Sequence, residues 1–141
     1  MRREEAWDAL EQAQTMDAKI RPKGRWYAVY CFGYGLASLI GLLVMGVPGT
    51  VLGMVVGSCV LAAMIVGLSF YQLGQPVKPL GYGKLHVWGI SLWGAVYSLT
   101  LVVGMTLFQG DPAWWVPMAL LSAVPTSVAG VIVLRQSRSQ R

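Results

Sequence analysis

Between Arg25 and Arg135 the chain carries one imidazole (His86), two thiols (Cys31 and Cys59) and three charged side chains, Lys78, Lys84 and Asp111. An imidazole beside a thiol can generate a nucleophile or hold a metal ion, and a carboxylate can move a proton. The spacing supports none of these. His86 has no second histidine and falls where an apolar stretch begins, the usual place of an interfacial polar residue rather than of a ligand or base. Counted from the turn at Pro48, Cys31 and Cys59 differ in depth by about 9 Å, beyond the roughly 7 Å that a disulfide spans, so both are read as free, packing thiols. No Ser-His-Asp set, glycine-rich phosphate loop or metal-ligand spacing is present. The chain therefore offers no catalytic residues, no metal ligands and no cofactor site, which favours a non-enzymatic reading.

What remains is aromatic and conformational. Trp93 and Tyr97, four residues apart, could line a cavity with Tyr34 for a lipophilic or cationic guest, with plain packing as the alternative. Pro125, within Ser122-Ala-Val-Pro-Thr-Ser127, removes a helical hydrogen bond and is a candidate hinge. Small residues recur at four-residue spacing in Gly33, Ala37 and Gly41, and again in Gly49, Gly53 and Gly57. Such ridges let helices approach closely in lipid. The first lies in the inner half of its helix and the second in the outer half of the next, so they are expected to meet only near the middle; one could then be free for another helix or a second copy, but packing inside the single bundle is the first expectation for either. Gly94 with Ser98, and Ala119, Ala123 and Ser127 beside Ser122, Thr126 and Gly130, form further lines.

The elements that would position these residues follow from composition. The 141 residues are 55% hydrophobic and 12% charged, about half the charge of a globular domain. Four apolar stretches, about 26–47, 50–71, 86–108 and 113–134, contain no Asp, Glu, Lys or Arg. Each matches the roughly 20 helical residues that cross a bilayer core of about 30 Å. The fold expected is all-α: an integral membrane four-helix bundle preceded by an N-terminal amphipathic cytoplasmic helix. Gly46 to Thr50 is a tight turn, residues 72–85 an irregular loop, and Asp111-Pro112 a cap and first turn.

All 11 basic residues fall on one side of these spans and Asp111 alone on the other. The positive-inside rule then places both termini and the middle loop in the cytoplasm of a plasma (inner) membrane. Trp26, Tyr27, Tyr71 and Trp88 are expected at the inner interface, and Phe108, Trp114 and Trp115 at the outer one. A cleaved signal peptide is rejected, because the first apolar run is too long and starts too late. The net charge of +5 is explained by topology, not by nucleic acid. The domains are residues 1–24, a cytoplasmic helix and linker ended by Pro22 and Gly24; 25–135, the membrane domain; and 136–141, a basic tail that suits lipid headgroups. In the first segment Ala6, Trp7, Leu10, Ala13 and Met16 gather opposite Glu4, Asp8 and Glu11. Its acidic balance suits a protein partner or the chain's own loop better than an anionic membrane surface.

Glu4-Glu5-Ala6 with Leu10, then Arg25-Trp26-Tyr27 leading to Gly33, resemble small uncharacterised actinobacterial membrane proteins with a cytoplasmic helix and four spans. The resemblance covers about the first third of the chain. It implies the same layout and, since such proteins are often encoded beside a winged-helix regulator, a role in membrane sensing or regulation. The four-span size is also similar to the small multidrug exporters, but their first helix needs a Glu where this one reads WYAVYCFGYGLAS. The resulting expectation is a non-enzymatic accessory, sensing or protective membrane component acting by helix association with a protein partner or as a homo-oligomer. The alternative is a minimal transporter or lipophile-binding protein using the aromatic cavity.

Overall fold

The computed structural model describes residues 2–20, 25–75 and 82–139, excepting the side chains of 17–20. The expected stop at Pro22 and Gly24, and Lys78 with the prolines and glycine of 76–81, lie outside the described residues. The described chain forms five helices and no strands: α1 (Arg2–Ile20), α2 (Trp26–Gly46), α3 (Val51–Leu73), α4 (Tyr82–Leu107) and α5 (Pro112–Ser139). The last four are each long and apolar enough to cross a membrane; the shortest, of 21 residues, is about 31 Å long.

Their ends differ from expectation in two places. Residues 82–85, read as loop, open α4, because the Tyr82 ring packs 5.0 Å from that of Tyr27 and stacks on His86 at 5.1 Å. At the far end α5 carries Arg135 to Ser139 in helical form. The starts of α3 and α5 are capped: Thr50 accepts a hydrogen bond from the Gly53 amide at 3.1 Å, and Asp111 Oδ1 from the Ala113 amide at 3.0 Å. The two outer turns meet at Gly49 and Gly110, whose positive φ values of 61° and 73° suit glycine. A Cβ on Gly49 would come within 2.8 Å of Gly110 Cα.

Helix α2 is the hub. It packs along α5 on one side and α3 on the other, while α4 leans on α5. Gly33 and Gly41 of the first ridge and Gly53 and Gly57 of the second all face the other helix of the α2–α3 hairpin. A Cβ on Gly33 or Gly41 would lie 3.0 Å from Leu68 Cδ2 or 3.1 Å from Leu61 Cβ of α3. A Cβ on Gly57 would lie 2.4 Å from Met45 Cγ, and one on Gly53 3.0 Å from the Val44 carbonyl oxygen of α2. Each ridge receives side chains or backbone of the other helix, so the two need not sit at the same depth. Ala37 is fully buried in this seam beside Leu61 and Met45.

Helix α1 is different. Every described side chain from Arg2 to Met16 is exposed, including Trp7, Leu10 and Met16, so it does not dock on the described part of the bundle.

Candidate functional site

The chemistry-bearing side chains converge between α2 and α4. On α2, Tyr27, Tyr30, Tyr34 and Ser38 recur at three- and four-residue steps and so share a face. On α4, Tyr82, His86, Trp93 and Tyr97, at steps of four, seven and four, also share a face. The rings form a continuous series: Tyr27 and Tyr30 stack at 6.0 Å, Tyr30 and Tyr34 are 5.9 Å apart, Tyr34 meets Trp93 edge-on at 4.9 Å, and Trp93 stacks on Tyr97 at 5.0 Å. These separations are those of aromatic pairs in mutual contact.

The structure thus brings Tyr34, Trp93 and Tyr97 together. They touch each other, and the void beside Tyr34, lined also by Tyr27, Cys31 and His86, is about 10 Å³, at most the space of one water. Their polar atoms turn to neighbours. Trp93 Nε1 donates to Ser38 Oγ at 2.9 Å, which lies 2.9 Å from Ser122 Oγ, and Ser122 also donates to the Ala119 carbonyl at 2.8 Å. Tyr97 donates to Met45 Sδ at 3.6 Å. Three helices meet at the Ser38 hydroxyl, and Ser38 and Ser122 are fully buried. At the inner end Tyr27 Oη lies 3.4 Å from His86 Nδ1, and Gln72 donates to the Tyr82 hydroxyl.

Cys31 is buried in this cluster, whereas Cys59 is exposed on α3 rather than packed; both thiols are free. Pro125 is buried within α5. Beside it, the Ser122 hydroxyl donates to the Ala119 carbonyl and the Thr126 hydroxyl to that of Ala123. Among the described residues no group of three His, Cys, Asp or Glu side chains could hold a metal ion.

Three of the aromatic residues expected at the interfaces are buried within the bundle. Trp115, expected at the outer water boundary, is 1% exposed. Its indole sits in a slot between Gly46 and Gly104, where a Cβ would approach to 1.8 Å and 2.7 Å, and its Nε1 donates to the Phe108 carbonyl at 2.9 Å. Trp26 and Tyr27 likewise turn inward, while Tyr71 and Trp88 remain exposed and Phe108 stacks on Trp114 at 4.8 Å. Ser38, Gly35, Gly46 and Gly104 are the positions that ridge spacing passed over. Gly35 takes the Thr126 hydroxyl of α5, 3.0 Å from its notional Cβ. No family model, curated protein or solved structure matches the chain.

Proposed function

We propose that this protein is a non-enzymatic multi-pass component of the plasma membrane, working as an accessory, sensing or protective factor through association with another protein. The observation carrying this reading is the contrast between α1 and the bundle. The bundle closes on its own core through packed rings and small-residue seams, while α1 leaves Trp7, Leu10 and Met16 exposed. From Met1 to Asp17 the sequence has two basic and five acidic residues, a balance that repels anionic headgroups and suits a basic protein surface. Trp7 and Leu10, three residues apart and both exposed, present neighbouring apolar side chains beside these acids, which suits docking on a protein surface. The basic residues flanking the spans orient the chain with both termini and the 74–81 connection in the cytoplasm.

Deletion of residues 1–20 tests the proposal. A partner that co-purifies with the full chain is expected to be lost, together with the phenotype the full chain supports, while the remaining bundle still inserts. If binding and phenotype both survive, α1 is not the effector and the reading fails. A cysteine placed at position 80 and labelled from outside intact cells would overturn the orientation.

A further inference from the structure

The outward face of α5 carries a shallow, open groove. A groove of about 490 Å³ runs along it from Leu120 past Val124, Ser127, Val128 and Val131 to Arg135. Its cause is local. Pro125 has no N–H for the Leu121 carbonyl and its ring crowds that carbonyl, which opens the helix on the proline's side. Pro125 faces the bundle interior, being buried, so the opposite face curves inward.

The groove has a length and a polarity. From Leu120 to Arg135 the helix rises about 22 Å, and the ten residues from Pro125 to Arg135 rise about 15 Å, half of a hydrocarbon core of about 30 Å. One end is entirely apolar. The other is closed by the exposed Arg135, with exposed Arg138 one turn beyond. A guest with hydrocarbon running through one leaflet and a negative group at its head matches both features. A neighbouring helix has no need of a cation at one end only.

We propose that this face of α5 binds one anionic phospholipid, with an acyl chain over Val124, Val128 and Val131 and the headgroup phosphate on Arg135. The site is independent of the role assigned to α1. The test is native mass spectrometry of the full chain, released from micelles containing phosphatidylglycerol and phosphatidylcholine of identical chain length. One phosphatidylglycerol per chain is expected to be retained about fivefold over phosphatidylcholine, the ratio that one interfacial arginine supplies. Arg135→Gln, a surface change, brings the ratio close to one. Val128→Trp fills the groove and lowers retention of both lipids. Equal retention of the two lipids by the wild type overturns the proposal, as does an unchanged ratio in Arg135→Gln. A dimer that Val128→Trp dissociates with lipid retention unchanged assigns the groove to a second copy instead.

Discussion

The Trp115 slot makes a quantitative claim about what holds the outer half of the bundle together. In Gly46→Ala the new methyl is placed 1.8 Å from Trp115 Cδ2 and 2.1 Å from Cε3, where carbon atoms ordinarily rest about 3.5–4.0 Å apart. The indole would have to retreat by roughly 1.7 Å to reach the near edge of that range. Retreat is limited, because the Gly104 backbone also packs closely on the ring: a Cβ there would lie 2.7 Å from Cζ2. The substitution should therefore cost about 3 kcal/mol, the upper part of the overpacking range, which is roughly a 100-fold loss in the folded ratio. Trp115→Ala removes a fully buried ring and should also cost about 3 kcal/mol, the low end for such truncations, since lipid tails replace water as the competing environment. In the double variant the methyl added at position 46 enters space the indole has vacated. Its cost should stay near about 3 kcal/mol instead of the additive value of about 6, a coupling of about −3 kcal/mol. Unfolding in mixed SDS and dodecyl maltoside micelles, for wild type, both single variants and the double, measures all four corners. Additive costs, or a Gly46→Ala variant within about 0.5 kcal/mol of wild type, would refute the claim that this glycine exists to admit the tryptophan.

Two further outcomes follow from the core. Ser38→Ala deprives both Trp93 and Ser122 of a partner and should destabilise by more than Trp93→Phe, with each cost inside the range of about 0.6–1.7 kcal/mol found for hydrogen bonds within membranes; the same micelle titration checks the order, and equal stabilities would show the node to be idle. Cys59 is exposed and Cys31 is 3% exposed, so a lipid-soluble maleimide should modify Cys59 at least about tenfold faster and reach Cys31 only after unfolding; mass spectrometry of labelled peptides reads this, and comparable native rates would contradict the burial of α2.

The four spans, the outer turn and the Asp111 cap were legible because each is written in local chemistry: uncharged runs of bilayer length, a Pro-Gly turn, an acid before a proline. The starting point of α4 was not, because Gly81 and Gly83 read as loop punctuation while the stabilising contact, Tyr82 on Tyr27 and His86, includes a ring far away in sequence. Aromatic girdles misled for Trp26 and Trp115 for a related reason. An interfacial tryptophan and one seated in a glycine slot look alike in one dimension, and Gly46 and Gly104 lie in other helices. The Ser38 node had a readable signal that ridge counting ignored. Ser38 lies about 12 residues inside the start of α2, Trp93 about 11 inside the start of α4, and Ser122 about 13 before Arg135, so all three share a depth of roughly 16–20 Å. Polar groups at one depth in neighbouring spans are forced toward each other by the absence of water.

Exposure means different things in the two parts of this molecule. Helices α3 and α4 show large apolar side chains such as Leu52, Phe70 and Leu99, but against hydrocarbon such exposure costs nothing, so their outward faces need no partner to be stable. Helix α1 is not among the candidate spans, and its charges keep it out of the bilayer core. There Trp7 at 66%, Leu10 at 53% and Met16 at 67% exposure meet water or headgroups, and full burial of a Leu or Met side chain is worth about 1.5–3 kcal/mol. The glycine ridges that looked like contact surfaces for another helix are occupied from within the hairpin. Trp7, Leu10 and Met16, exposed outside the candidate spans, therefore lie in the segment whose sequence carries most of the protein's acidic charge.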